Sequence, residues 1–314
     1  MQCNAMRRTM PAVLFCCVLM SSRILTGSPP SQDARPDIYD KVADGEKQIA
    51  EALIQAKRDN KRVLLQFGAN WCSWCHRLHD LFKKDSKVAR VLLYEYELVL
   101  IDVDRIDGQQ HNAKVDERYG NPTQLGLPVL VVLDADGKQL ITQETDTLEE
   151  GDHHDPAKVL AFLEKWKPRP LSADDVLTEE LGRAKKASKK LFVYFSAPWC
   201  GWCHRLEEYL YRREIAEIFN QAYVTVKIDV DRMTGGKALQ AKLCGSETGG
   251  IPFFVVLAPD GTKVADSNDA QGNVGFPVEP HEIAHFMKIV QQTAPGLTDE
   301  QRAVLATGLE PPKE

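Results

Sequence analysis

With 314 residues the chain is long enough for two domains, each able to bury a core of its own. Apolar residues make up 43% and charged residues 27%, the balance of an ordinary globular protein rather than a disordered or fibrous one. A net charge of -6, with no basic run beyond the first residues, argues against a nucleic-acid binder, so function has to reside in discrete sites.

Residues 1–30 read as a signal peptide. Arg7 and Arg8 precede an apolar run from Pro11 to Met20, and small and polar residues follow up to Pro30. The run is about half of the roughly 20 residues a spanning helix needs, and Arg23 interrupts its continuation. The chain is therefore expected to be periplasmic or secreted, with no stable membrane span once this segment is gone. Its removal takes Cys3, Cys16 and Cys17 and leaves Cys72, Cys75, Cys200, Cys203 and Cys244. Two close pairs and one odd cysteine do not make a disulfide-stapled scaffold. The pairs read as redox-active or ligand-binding.

Along the chain, Ile38, Val42, Ile49, Ala52, Leu53 and Ala56 have helical spacing, with Gly45 expected to break the stretch in two. A strand over 62–68 leads into Trp71-Cys72-Ser73-Trp74-Cys75-His76, then a helix over 77–84. A strand over 98–103 ends in Asp102-Val103-Asp104, and a helical stretch over 109–119 follows. Leu127-Pro128 opens a strand to Leu133, which turns at Asp136-Gly137 into a hairpin partner over 138–142. Asp155 caps a closing helix that has Pro156 at its first position.

After a linker at 168–172 the order recurs. A helix over 173–188 and a strand over 191–195 precede Trp199-Cys200-Gly201-Trp202-Cys203-His204, with a helix expected over 205–219. A strand over 223–228 ends in Asp229-Val230-Asp231, and a helix covers 237–243. Ile251-Pro252 opens the next strand, Asp260-Gly261 turns it, and a last helix starts near Pro280. The cysteines repeat at an offset of 128 residues, the Asp-Val-Asp runs at 127 and the proline strands at 124, which marks a tandem duplication with small deletions. Each unit predicts an α/β sandwich with a mixed sheet. The expected domains are 38–167 and 173–293, with a tail over 294–314 that is a small helix or disordered.

A Cys-x-x-Cys pair at a strand-to-helix turn puts its first sulfur at a helix N-terminus, where free N–H groups and the dipole stabilise a thiolate. The second sulfur lies one turn in, close enough to close a small disulfide ring. Each half resembles a thioredoxin-fold domain: Ala69 to Cys75 and Ala197 to Cys203 carry its Ala-x-Trp-Cys-x-x-Cys run. Gly126-Leu127-Pro128 and Gly250-Ile251-Pro252 match its cis-proline loop, 53 and 49 residues after the second cysteine. The resemblance covers nearly the whole chain beyond the first 37 residues.

What the resemblance implies is a thiol–disulfide oxidoreductase, a reductase or isomerase acting on protein disulfides. Cys72 or Cys200 attacks a substrate disulfide, and Cys75 or Cys203 resolves the mixed disulfide. Trp71, Trp74, Leu127 and Pro128 in the first half, and Trp199, Trp202, Ile251 and Pro252 in the second, would form the substrate surface. No cofactor and no metal are called for, and the partners are disulfide-bearing proteins or another redox protein. The chain departs from the family where a buried acid stands six residues before the first cysteine: those positions are Gln66 and Tyr194.

Three other readings compete. Both motifs end Cys-x-x-Cys-His, the pattern of covalent c-type haem attachment, which would make a two-haem electron carrier. The scaffold could serve as a binding or chaperone-like protein without turnover. His281-Glu282-Ile283-Ala284-His285 matches a zinc-protease pattern, but its repeat-mate Ala157 to Ala161 has no ligand, so histidines on an amphipathic helix are expected. Asp152-His153-His154-Asp155 is expected to be a loop entering a helix cap and Cys244 a small buried thiol; Asp102, Asp104, Asp229 and Asp231 either face the active site or cap the next helix, with capping the favoured reading.

Overall fold

The computed structural model describes residues 35–245 and 250–310, so the predicted signal peptide lies outside the described residues. The first half runs α1 (Gly45–Asp59), β1 (Arg62–Gly68), α2 (Ser73–Lys84), α3 (Ser86–Glu95) and β2 (Tyr96–Asp102). A small ribbon of β3 (Arg105–Ile106) and β4 (Gln109–Gln110) precedes α4 (Ala113–Arg118). Then come β5 (Val129–Leu133), β6 (Gln139–Glu144), a second ribbon of β7 (Glu149–Glu150) and β8 (His153–His154), and α5 (Pro156–Trp166). The second half repeats this with α6 (Ala173–Lys186), β9 (Lys190–Ser196), α7 (Gly201–Tyr211), α8 (Arg213–Ala222), β10 (Tyr223–Asp229) and α9 (Gly236–Cys244). It ends in β11 (Phe253–Leu257), β12 (Lys263–Asp266), α10 (Pro280–Thr293) and α11 (Asp299–Thr307).

The expected pair of mixed sheets is present, one per half, in the orders β2-β1-β5-β6 and β10-β9-β11-β12. The first two strands of each pair in parallel, and the others run antiparallel. The central strands are buried on both faces, which is why their sequences are nearly continuous apolar runs. Alternation along β1 sends Val63, Leu65 and Phe67 towards α1, and Leu64 towards α2, α3 and α5. In β9, Leu191, Val193 and Phe195 face α6, while Phe192 and Tyr194 face α7, α8 and α10.

Three local expectations change, and the tail takes the helical alternative. Gly45 does not break a helix; it begins one, because Asp44 caps α1 by accepting from the amides of Glu46 and Lys47. The helix expected over 205–219 is two, since Arg212 takes extended backbone between α7 and α8, as Asp85 does between α2 and α3. The stretch 109–119 is helical only from Ala113, its start being used by the ribbon. Residues 294–309 carry α11, and Leu297, Leu305 and Leu309 bury against the second core, with Tyr209 Oη donating to the Leu305 carbonyl (2.9 Å).

The halves meet through charge. Arg232, just past β10, donates to the carbonyls of Asp59 and Asn60 at the end of α1 and to Glu95 Oε2 (2.9 Å). A guanidinium there satisfies carbonyls that the helix leaves without partners. Lys227 of β10 reaches Asp59 Oδ1 (3.1 Å) in the first half and Glu207 Oε1 (2.7 Å) in its own. Arg58 lies 4.5 Å over the ring of Tyr211.

Candidate active site

Each motif begins where its central strand ends, so that the strand delivers the cysteines to the edge of the sheet. Cys72 and Cys200 are the N-cap residues of α2 and α7. Their sulfurs accept from the backbone amides of Cys75 (3.1 Å) and Cys203 (3.2 Å). The capping atom that is an oxygen in most helices is here the reactive sulfur. Cys72 is joined to Cys75 and Cys200 to Cys203. The first cysteine of each pair keeps slight exposure, 5% and 4%, and the second is fully enclosed. Only the N-terminal sulfur can be approached from outside.

Leu127-Pro128 and Ile251-Pro252 are the two cis peptide bonds among the described residues. In the second half the Ile251 carbonyl lies 3.7 Å from Cys200 Sγ, which places that loop across from the disulfide. A cleft of about 360 Å³ opens beside it, with Trp202, Ile251 and Phe276 among its apolar walls and Asn273, Glu279 and Glu282 among its polar ones. In the first half Leu127 lies against the cluster of Tyr39, Cys72 and Cys75. There Trp74 is covered edge-on by His154 (5.2 Å) and Arg77 sits 4.6 Å over its ring.

Trp71 and Trp199 stand out from the surface, 68% and 60% exposed, yet both are tethered. Trp71 Nε1 donates to Asp104 (2.9 Å) and Trp199 Nε1 to Asp231 (2.8 Å). The second aspartate of each Asp-Val-Asp run therefore orients a tryptophan instead of capping a helix. The signal was present in the sequence as a repeated separation of 33 and 32 residues. Asp231 also accepts from Tyr94 of the first half (3.0 Å) and pairs with Lys237 (3.1 Å). Burial pushes its carboxyl up, but the hydrogen bonds from Trp199, Lys237 and Tyr94 outweigh that and hold it below the usual carboxylate range. The first aspartates do other work: Asp102 accepts from or pairs with His111 Nδ1 (2.9 Å), and Asp229 accepts from the amides of Asp231 and Arg232.

The environments beneath the two disulfides differ, and the sequence did not reveal how. Beneath the first, Gln66 is buried and its amide donates to Tyr39 Oη (2.6 Å), a phenol from the segment before α1. A Cβ on Gly68 would clash with Tyr39 Oη and come within 2.7 Å of Cys75 Sγ, so the bare glycine makes room for the phenol next to the resolving sulfur. Beneath the second, the matching position is Ser196, and its hydroxyl donates to Glu207 Oε1 (2.8 Å), a buried carboxylate one turn after Cys203. Glu207 is also paired with Lys227 and lies 3.7 Å from His204 Nδ1.

The competing motifs find other uses. His76 Nε2 lies 2.8 Å from the Asn70 carbonyl and His204 Nε2 2.9 Å from the Pro198 carbonyl, while the sulfurs that haem attachment needs are joined to each other. Glu282 accepts from the amides of Val278 and Glu279 in a capping box, and His285 faces the Asp266 carbonyl. No group of three or more metal-ligating side chains is found among the described residues. Asp155 caps α5 as expected, and His154 is buried, its pKa pushed down to about 4 chiefly by burial and then by Arg77. Cys244 is half-buried, and burial pushes its thiol up to about 12.

Residues 44–135 match a family described as thioredoxin-like, and residues 157–308 match the family Thioredox_DsbH, described as a protein of unknown function, DUF255. The chain belongs to the thioredoxin-like superfamily. The disulfide bond reductase DsbH of Chlamydia pneumoniae is 33% identical to this thioredoxin-like chain over 94 residues, 29% of this chain and 57% of that protein. Protein disulfide-isomerase A5 of Mus musculus is 26% identical over 186 residues, 57% of this chain and 33% of that protein. Among solved structures, a disulphide isomerase from Xylella fastidiosa Temecula1 is 34% identical, covering 41% of this chain and 95% of that one, with a TM-score of 0.37. The thioredoxin-like chain thus spans only 57% and 33% of the length of these two curated relatives.

Proposed function

We propose that the chain is a thiol–disulfide oxidoreductase that reduces or isomerises disulfides in other proteins through two separate Cys-x-x-Cys sites. The observation that carries this reading is the same arrangement built twice: a disulfide at a helix N-terminus, its first sulfur exposed and its second enclosed, beside a cis-proline loop. In the reduced protein, Cys72 and Cys200 are the nucleophiles, because free N–H groups and the helix dipole favour their thiolates. The thiolate attacks a substrate sulfur to form a mixed disulfide, and Cys75 or Cys203 then displaces the substrate as a thiol.

Trp71, Trp74, Leu127 and Pro128 contact substrate at the first site, and Trp199, Trp202, Ile251 and Pro252 at the second. The cleft at Trp202 offers the substrate chain both apolar walls and the polar side chains of Asn273, Glu279 and Glu282. The domains are 38–167 and 173–293, the second completed by α11, whose Leu305 packs into its core. The protein works outside the cytoplasm after removal of residues 1–30; no described helix is long and apolar enough to cross a membrane.

Alanine at Cys72 and Cys200 together is expected to abolish reduction of insulin disulfides, while either change alone leaves activity from the other site. Full activity in the double variant would overturn this function.

A further inference from the structure

Trp199 stands at the surface of the second site, and the carboxylate that holds it is itself held by the first half of the chain. Tyr94, in the last turn of α3, donates from its phenol to Asp231 Oδ2 (3.0 Å), the same oxygen that accepts from Trp199 Nε1 (2.8 Å). The next residues along pair in the opposite sense, with Arg232 donating to Glu95 Oε2 (2.9 Å). Residues 94 and 95 of the first half thus grip 231 and 232 of the second. Lys237, on the other oxygen of Asp231, is 75% exposed and restrains it little. Tyr94 is only 7% exposed, with the Arg90 guanidinium 4.3 Å over its ring.

Among the described residues, Tyr94 belongs to none of the apolar clusters of its own half, although it is buried. Its repeat-mate on α8, likewise two residues before a strand, is Gln221, whose side chain accepts from Gln301. The tyrosine is therefore not a requirement of the repeated fold. At the first site the matching Asp104 Oδ1 takes its bonds within its own half, from Trp71 Nε1 (2.9 Å) and from the amide of Arg105 (2.8 Å).

We infer that Tyr94 is a positioning residue for the second site: by fixing the Asp231 carboxylate it holds the Trp199 indole in the orientation that receives a substrate chain. The inference rests on the oxidoreductase reading and on Trp199 as part of its substrate surface. A phenol is protonated at neutral pH and donates to the carboxylate. With two donors converging on one oxygen, the carboxylate cannot turn from the indole without leaving Tyr94 buried and unpaired. Trp199 is mostly exposed, so packing alone would leave it rotamers to lose when a substrate binds. The tether orders it beforehand, and the substrate meets a prepared surface. Exchange at Cys200 and Cys203 does not pass through Tyr94, so the effect falls on substrate affinity. The first half completes the second site even when its own cysteines take no part.

The test uses the full chain with Cys72→Ser and Cys75→Ser, so that only the second site turns over, and circular dichroism on every variant. Reduction of insulin with dithiothreitol as electron donor gives KM and kcat, and NMR of the indole N–H groups in isotope-labelled chain reports their hydrogen bonds. Tyr94→Phe is expected to raise KM about threefold or more while kcat stays within about twofold. It should move the Trp199 indole signal, assigned by its loss in Trp199→Phe, and leave that of Trp71 in place. In an Asp231→Ala chain the same Tyr94→Phe change should add less than about 1.5-fold to KM, because the path from Tyr94 to Trp199 runs through that carboxylate. A KM or a Trp199 signal that Tyr94→Phe does not move overturns the inference, and so does an equal effect with and without Asp231. Should Asp231→Ala misfold, Tyr94→Phe decides alone; should Tyr94→Phe misfold, Tyr94→Leu takes its place. A parent chain that reduces no insulin fails the oxidoreductase reading itself, and with it the inference. An active parent with an unmoved Tyr94→Phe variant fails the inference alone.

Discussion

Changing Lys227 to methionine tests how the halves are held together. Lys227 lies between Asp59 (3.1 Å) and Glu207 (2.7 Å), and all three side chains are nearly enclosed. Burial pushes the Lys227 ammonium down, but the two carboxylates outweigh it and hold it above its ordinary value. At an effective dielectric near 20 each pair has a gross attraction of about 5–6 kcal/mol, most of it offset by desolvation. Methionine keeps the stem and removes the charge, leaving two buried carboxylates with Arg58 as the remaining cation on Asp59 (3.2 Å). The folded chain then lowers its energy by binding one proton. At pH 7, about three units above an ordinary carboxylate value, that proton costs about 4 kcal/mol, which is the ceiling on the loss.

We expect Lys227→Met to lose about 3–4 kcal/mol at pH 7, measured by urea unfolding. The variant's folded state carries a carboxylate whose pKa is raised above its unfolded value. Its contribution is therefore present in full below about pH 4 and drains as pH rises through the raised value. The deficit should shrink to under about 1 kcal/mol near pH 4.5. A loss that is the same at pH 4.5 and pH 8, or below about 1 kcal/mol at pH 7, would refute the reasoning.

Two further outcomes are expected. His154 is buried and neutral with its pKa near 4, whereas the unfolded chain protonates it below about 6.5, so stability present above pH 6.5 is lost as pH falls towards 4. The full effect is about 3 kcal/mol, and denaturant unfolding of His154→Phe should show a correspondingly flatter acid slope; an unchanged slope would place the acid sensitivity elsewhere. Cys244, its thiol pushed up to about 12, should stay unalkylated at pH 7.5 while the reduced pairs react, read by mass, and Cys244→Ala should keep insulin reduction within twofold.

The repeat, both motifs, the strands and the proline loops were legible because each is local. Apolar runs, a fixed cysteine spacing and Gly-x-Pro carry their own signals. The helix break at Arg212 was not, since arginine is no strong breaker and makes no side-chain cap there. Least legible was the chemistry beneath the sulfurs. Glu207 reads as one more acid on a helix, and nothing nearby announces that Lys227 will pair with it while also reaching Asp59 across the domain boundary. Tyr39 stands 36 residues before Cys75, and only the tertiary fold brings its phenol to Gly68.

Two of the contacts that join the halves differ in how they would tolerate evolutionary drift. Arg232 addresses main-chain carbonyls of Asp59 and Asn60, which persist whatever side chains stand there. Lys227 addresses the Asp59 carboxylate, which a single codon change can remove. Across a lineage of such proteins, position 232 should stay arginine while positions 59 and 60 wander past it without leaving a statistical trace. Positions 227 and 59 should instead change as a correlated pair, losing lysine and aspartate together.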